Sequence, residues 1–150
     1  MITFRFVEQK DIEHVAKYMR FEDKREVAKC GKEPKEILQV SVKASEFCLA
    51  AYYEGEPICI FGVAPETMLG QRHVAWLLGT EKINQCKKAY FKACKKALSM
   101  MLQKYPILCN AVDPEYEKAH KWLKALGAEF KGTKKVSTGI DFDYFEIRRK

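Results

Sequence analysis

The order in which extended and helical patterns follow one another constrains the fold of this chain more than any other feature of its sequence. Period-two alternation and short apolar runs predict strands, and apolar residues at i, i+3 and i+4 predict helices. The chain begins with an alternating segment, Thr3–Glu8, and ends with another, Ile140–Ile147. Between them the patterns predict three helices, three strands, a long helix, a strand, a helix and a further strand. Strands that both precede and follow helices indicate a mixed sheet covered on both faces.

Turn residues separate these elements. The apolar runs Phe47–Tyr53 and Ile58–Val63 flank the letters EGEP, which predict a hairpin. The long helix is predicted from about Asn84 to Tyr105, where a proline follows. A Leu-Gly pair ends the next helix at Gly127. The expected architecture is a single α/β (α+β) domain over residues 1–150, with a mixed sheet of about six to seven strands.

Length and composition agree with a folded domain of this kind. The chain has 150 residues, of which 47% are hydrophobic and 31% are charged. Apolar stretches such as Val74–Leu78 are far shorter than the roughly 20 residues of a membrane helix. The first residues predict a strand rather than a signal peptide, so we expect a cytoplasmic protein.

The cysteine pattern predicts neither disulfides nor metal. Six cysteines are present, none of them in a Cys-x-x-Cys arrangement, and most lie in apolar or helical runs. In a reducing compartment they are expected to behave as small buried hydrophobic residues, and no metal site is predicted.

The charge is basic, because 27 Lys and Arg residues exceed 20 Asp and Glu residues by 7. This excess favours anionic partners such as a phosphorylated cofactor, nucleic acid or an acidic protein surface. Six of the lysines lie on or beside the long helix: Lys82, Lys87, Lys88, Lys92, Lys95 and Lys96. Their simplest interpretation is a solvated outer face, and nucleic-acid binding is the alternative.

The element order and the closing block ILCNAVDPEYEKAHKWLKALGAEF resemble the GNAT (Gcn5-related N-acetyltransferase) superfamily. The resemblance covers nearly the whole chain. Within that superfamily, the segments AWLLGT, YPILCNAVD and WLKALGAEF are similar to a group of small GNAT-like proteins of short-tailed bacteriophages, some of them called internal virion proteins.

The resemblance implies that acetyl-CoA binds between two splayed central strands, Arg72–Gly79 and Ile107–Val112. Strands that part leave backbone groups for the pantetheine arm, and the following helix offers its N-terminal amides to the pyrophosphate. The positions that would bind the cofactor are Leu78, Gly79, Thr80, Lys82, Lys87 and Lys88.

The sequence also departs from the family pattern. The family's Q/R-x-x-G-x-G/A turn is replaced by GTEKINQCKKAYF, which has no glycine after Gly79 and adds a negative charge at Glu81. Leu123 stands where the family often has an acid tyrosine, and the central strand has no carboxylate that could act as a base. The remaining candidates for catalysis are Tyr116 and His120.

Two functions therefore remain open from the sequence. The first is N-acetyl transfer from acetyl-CoA to an amine of a protein or small molecule, which can proceed mainly by proximity and orientation. The second is a non-catalytic GNAT-like phage protein, a virion or host-interaction component that acts by binding. Nucleic-acid binding through the lysine helix is a weaker third possibility, and it would be strongly salt-dependent.

Overall fold

The computed structural model describes residues 1–67 and 70–150, and its seven strands form one mixed sheet. The strands are β1 (Ile2–Phe6), β2 (Phe47–Tyr53), β3 (Glu56–Pro65), β4 (Arg72–Gly79), β5 (Ile107–Val112), β6 (Glu129–Lys135) and β7 (Asp141–Arg148). Their spatial order is β1-β2-β3-β4-β5-β7-β6. Among these described strands, β4 and β5 pair in parallel and the other five pairs are antiparallel. The predicted α/β class and mixed sheet are confirmed.

Five α-helices within residues 1–67 and 70–150 cover the two faces of this sheet. They are α1 (Gln9–Lys17), α2 (Phe21–Lys29), α3 (Pro34–Ala44), α4 (Lys87–Lys104) and α5 (Glu117–Ala125). On one face, Val15 of α1, Val27 of α2 and Leu38 of α3 pack in the same core as Ile60 and Leu78 of the sheet. Residues of α4 and α5 pack in two further cores that include other sheet residues. The expectation of helices on both faces is confirmed.

Local sequence determines the ends of several elements. Glu54 and Gly55 both have positive φ, 50° and 81°, as the tight turn of the predicted β2–β3 hairpin requires. Gly127 has φ 98° and its N–H donates to the Lys124 carbonyl, while the next N–H donates to Leu123. This is the Schellman arrangement, which favours glycine after a helix.

The start of the long helix differs from the prediction. A 3-10 turn spans Glu81–Gln85, and α4 begins only at Lys87. The Thr80 hydroxyl accepts a hydrogen bond from the Lys82 N–H and starts the 3-10 turn, and Cys86 then leaves helical geometry with φ −143°. The free amides at the start of α4 therefore belong to residues 87 to 89 rather than to the segment from Asn84.

The parallel pair β4 and β5 separates along its length. Pairing runs from Arg72 with Ile107 to Val74 with Cys109 and then stops. The side chain of Asn110 lies at this point, because its Nδ2 donates to the Ala75 carbonyl at 2.8 Å. We call the region beyond it, from Ala75 and Asn110 to the ends of the two strands, the strand gap.

Across residues 1–67 and 70–150, no helix combines the length and the apolar character that crossing a membrane requires.

Candidate functional site

A cavity of about 520 Å³ continues the strand gap beneath α4 and α5, and we call it the cleft. Its floor includes Leu77 of β4 and Val112 of β5, and its roof includes Tyr90 of α4 and Trp122 of α5. A concave, largely apolar space of this size is typical of sites for small molecules and cofactors.

The backbone of β4 faces the strand gap at every second residue. The Ala75 carbonyl accepts from Asn110 on this side, and the Gly79 N–H donates to Asp23 on the same side. Backbone groups alternate along a strand, so those of Leu77, which lies midway, also face the strand gap. Leu77 lies beyond the last paired residue, Val74, so its amide and carbonyl are available to a ligand that lies along β4.

Helix α2 crosses the open end of the strand gap. Its Asp23 Oδ2 accepts a hydrogen bond from the Gly79 N–H at the end of β4, at 2.9 Å. One turn later, Glu26 Oε2 accepts from the Asp113 N–H directly after β5, at 3.0 Å. Two carboxylates of one helix therefore take the place of strand-to-strand hydrogen bonds at this end.

Asp23 is the centre of a buried polar network. It is 2% exposed, and its Oδ2 accepts from Nε and Nη2 of Arg20 at 3.1 and 3.0 Å. Its other oxygen accepts from the Tyr116 hydroxyl at 2.8 Å. Burial and the Asp23 charge raise the pKa of Tyr116, so this phenol stays protonated and donates.

Glu26 has a different environment from Asp23. It is half-buried, lines the cleft, and makes no ion pair within 4 Å in the described part of the chain. Burial raises the pKa of its carboxyl to about 7, and the neighbouring charges of Asp23 and Asp113 act in the same direction. The hydrogen bond from the Asp113 backbone and the charge of Arg20 only partly oppose this shift. Glu26 therefore exchanges a proton near neutral pH.

Two of the predicted cofactor lysines lie at the start of α4. Lys87 lines the cleft, and Lys88 is exposed beside it. Neither forms a salt bridge with a described residue, and no side chain caps the amides of the first turn of α4. This end of the cleft therefore combines two positive charges with unsatisfied N–H groups.

The other four predicted cofactor residues contact other parts of the protein. Lys82 Nζ lies 3.2 Å from Glu54 and 3.5 Å from Glu56, on the β2–β3 hairpin. Leu78 packs in the core on the α1 and α3 face. The Thr80 hydroxyl accepts the Lys82 N–H, and its own N–H donates to the Ile58 carbonyl. Gly79, as described above, donates its N–H to Asp23.

The two predicted catalytic residues are neighbours with different surroundings. Tyr116 lines the cleft, but its hydroxyl is engaged with Asp23. His120 does not line the cleft, and its ring nitrogens contact the Tyr116 carbonyl and Asp143 Oδ2, both at 2.8 Å. Burial would lower the pKa of His120, but the hydrogen bonds to these acceptors raise it. Both nitrogens face acceptors, so the protonated form of the ring can donate to both.

The roof of the cleft contains an aromatic pair. The rings of Tyr90 and Trp122 stack at 6.1 Å between centroids and at 13°. The Tyr90 hydroxyl is buried and has no hydrogen-bond partner among the described residues. Trp76 is a second tryptophan at the cleft, and its Nε1 donates to the Ser45 hydroxyl at 2.8 Å.

Sequence reasoning missed the contribution of α2. The sequence predicts three helices after the first strand and no site residue within them, yet Arg20, Asp23 and Glu26 all line the cleft. Asp23 and Val27 are four residues apart and both buried, which puts a charged residue on the apolar face of α2. That spacing is visible in the sequence, but the partner of Asp23 is not.

The part of the chain that the structure describes contains no group of three or more His, Cys, Asp or Glu side chains able to hold a metal ion.

Comparisons with known proteins agree with this geometry at the level of fold. The sequence matches no protein-family model and no curated protein. The structure resembles AAC(6')-Ib in complex with ribostamycin and coenzyme A, with a TM-score of 0.74, 16% identity, and coverage of 99% of this chain and 93% of that one.

Two further solved structures are similar. A chimera of the spermidine N-acetyltransferase SpeG from Vibrio cholerae and hSSAT gives a TM-score of 0.71 at 14% identity, over 98% of this chain and 95% of the other. A GNAT-family acetyltransferase from Bacillus anthracis gives 0.71 at 15% identity, over 98% and 94%. The chain therefore has the fold of the GNAT acetyltransferases.

Proposed function

We propose that this protein transfers an acetyl group from acetyl-CoA to an amine. The strand gap between β4 and β5 carries this proposal. It leaves the backbone of Leu77 unpaired beside an apolar cleft, which suits an arm that contains amides and ends in a thioester. Similar structures hold coenzyme A or acetyl-CoA, and their names include a spermidine and an aminoglycoside acetyltransferase.

The residues of this chain fit acetyl-CoA at two places. The backbone of Leu77 would bond the pantetheine amides, and the apolar cleft walls would exclude water from the thioester. At the other end, Lys87, Lys88 and the uncapped amides of α4 would bind the phosphates. Leu78, Gly79, Thr80 and Lys82 lie between these two places in the chain, and their own groups are engaged with other parts of the protein. The bound acetyl-CoA supplies the activated acyl group.

Acetyl transfer from a thioester to an amine requires few catalytic groups besides those that orient the two reactants. Attack of an amine on a thioester is accelerated chiefly by holding the two groups in contact, which can contribute about 7–11 kcal/mol to lowering the barrier. Tyr116 borders the cleft with its hydroxyl donating to Asp23, and His120 lies behind it against the Tyr116 carbonyl. We propose spermidine and ribostamycin as the first acceptors to test, since these names occur among the similar structures.

The second candidate function is a GNAT-shaped binding protein without acyl transfer, a phage virion or host-interaction component that works in the host cytoplasm or the virion. One observation favours it. The Gly79 N–H at the end of β4 already donates to Asp23, and the turn after it contains Glu81 and no glycine.

Calorimetric titration with acetyl-CoA and with CoA separates the two candidates, supported by melting temperatures, since a ligand of the folded state raises the melting temperature. We expect saturable binding that weakens at least about tenfold in Lys87→Glu and in Lys88→Glu, because charge reversal next to phosphates costs more than about 1.4 kcal/mol. Lys96→Glu, an exposed change further along α4, is the matched control and should bind as the wild type does. Absence of binding at millimolar cofactor would overturn the transferase proposal in favour of the binding protein.

A further inference from the structure

We propose that Glu26 is the catalytic base of this protein and takes the proton from the acceptor amine. The inference rests on the proposed acetyl transfer and adds the residue that the central strand lacks. It also implies that the acceptor reaches the thioester past α2.

The position of Glu26 supports this role. Helix α2 packs through Val27 on the face of the sheet opposite to α4 and α5. Its Asp23 and Glu26 nevertheless line the cleft that lies under α4 and α5, so both carboxylates reach the open end of the strand gap. A group at this end can contact a ligand in the cleft and one that arrives along α2.

Glu26 is a cleft carboxylate with one oxygen bound to the end of β5 and the other open to an amine. Its Oε2 accepts from the Asp113 N–H, and its Oε1 has no hydrogen-bond partner within the described ranges 1–67 and 70–150. Two other carboxylates at the cleft, Asp23 and Glu81, are hydrogen-bonded through both oxygens, and Glu22 makes only a long ion pair. Asp23 binds Arg20, Glu22 lies 3.8 Å from Lys118, and Glu81 accepts from the Phe21 N–H and from Asn84.

The charges around Glu26 come from two directions. Arg20 and Asp23 precede it on α2, and Asp113 follows β5 with Lys29 at 2.9 Å, Arg25 at 3.6 Å and Glu115 close to the same cations. These cations contact Asp113 rather than Glu26. The pKa of Glu26, about 7, then allows the carboxylate to accept a proton from an amine near neutral pH and to return it to water.

In the proposed reaction, the acceptor starts as an ammonium ion and ends as an amide. The ammonium form of the acceptor gives one proton to Glu26, and the neutral nitrogen forms a bond to the acetyl carbonyl carbon. The carbon–sulfur bond of the thioester breaks, and sulfur leaves with the electron pair and takes a proton from water. The hydroxide left from that water molecule removes the extra proton of the new amide. Glu26 then releases its proton to solvent.

The test compares wild type with Glu26→Gln, which keeps an oxygen to accept the Asp113 N–H. Thiol release from acetyl-CoA is followed with spermidine, with ribostamycin and with hydroxylamine, an amine that is largely neutral at pH 7. We expect the variant to lose about 100-fold or more in rate with the first two acceptors and much less with hydroxylamine, which needs no prior proton removal. The ratio of wild-type to variant rates should shrink from about pH 8 to about pH 5, as Glu26 becomes protonated.

Calorimetry with acetyl-CoA keeps this proposal separate from the proposed function. Glu26→Gln should bind acetyl-CoA as the wild type does, and Glu13→Gln, an exposed carboxylate of α1, should change neither binding nor rate. If acetyl-CoA binds but Glu26→Gln retains its rate with spermidine and ribostamycin, or loses it equally with hydroxylamine, Glu26 is not the base. If acetyl-CoA binds and none of the three amines releases thiol, the role of Glu26 is likewise overturned. If the wild type does not bind acetyl-CoA, the proposed function itself fails.

Discussion

Asp23 connects three parts of the molecule that are far apart in sequence. Its carboxylate accepts from Arg20 at the start of α2, from the N–H of Gly79 at the end of β4, and from Tyr116 at the start of α5. The Asp23 side chain is 2% exposed. If it is removed, water cannot fully replace the hydrogen bonds that it makes to these three partners.

Removal of this carboxylate should cost far more stability than removal of one partner. We expect Asp23→Ala to lower the free energy of unfolding by about 3–5 kcal/mol, because it leaves a buried guanidinium unpaired. Tyr116→Phe removes one hydroxyl and should cost about 1–2 kcal/mol. Urea denaturation of both variants measures the difference, and equal losses would show that Asp23 is not the centre of the network.

At the scale of elements, the strand gap depends on Asn110. Its Nδ2 donates to the Ala75 carbonyl and its Oδ1 accepts the Ala111 N–H, so one side chain satisfies both strands where their pairing ends.

Substitutions of Asn110 should therefore weaken the junction of β4 and β5. We expect Asn110→Ala to lower the free energy of unfolding by about 1–3 kcal/mol, because the Ala75 carbonyl loses its donor. Asn110→Asp keeps an acceptor for Ala111 but no donor for Ala75, and it should be destabilised as well. A stability for Asn110→Asp equal to that of wild type would contradict the role given to the Ala75 bond. Chemical denaturation measures both.

The elements themselves were largely predictable from the sequence. Period-two and helical spacing identified the strands and helices. The β2–β3 turn at Glu54 and Gly55 and the end of α5 at Gly127 were also predictable, because each depends only on nearby residues. The start of α4 was not predictable, because a Thr80 hydroxyl and the backbone of Cys86 decide it. The resemblance implied the separation of β4 and β5, but the crossing of α2 over the strand gap joins residues 56 and 87 positions apart, which no local pattern encodes.

At the scale of the whole molecule, three titratable groups, one buried and two half-buried, make stability depend on pH in opposite directions. The pKa of Glu26 is raised from 4.5 to about 7. The stability that the protonated carboxyl gives to the folded state is therefore lost as the pH rises from about 4.5 to about 7. The pKa of His120 is raised above 6.5, so the loss of folding stability continues as the pH rises above 6.5. Burial would raise the pKa of Glu146, but hydrogen bonds from Arg72, Arg148 and Tyr144 lower it to about 2. Its contribution is lost as pH falls from about 4.5 towards 2.

Melting temperatures across pH should therefore pass through a maximum near pH 5. Glu26→Gln should flatten the decline between about pH 5 and 7, and Glu146→Gln should remove much of the decline below pH 4. Each variant acts as the control for the other, because its effect is confined to one side of the maximum. A Glu26→Gln curve parallel to that of wild type from pH 5 to 7 would contradict the raised pKa.

The walls of the cleft give this protein an optical property. Trp76 and Trp122 both line the cleft, and the sequence has 2 tryptophans in all. Under excitation that is selective for indole, the emission of the whole chain therefore comes from the cleft, with Tyr90 stacked on one of the two emitters. The unlabelled protein is consequently its own fluorescent sensor. A molecule that enters the cleft changes the surroundings of the indole rings directly, and one that binds the exposed Lys92, Lys95 and Lys96 of α4 does not.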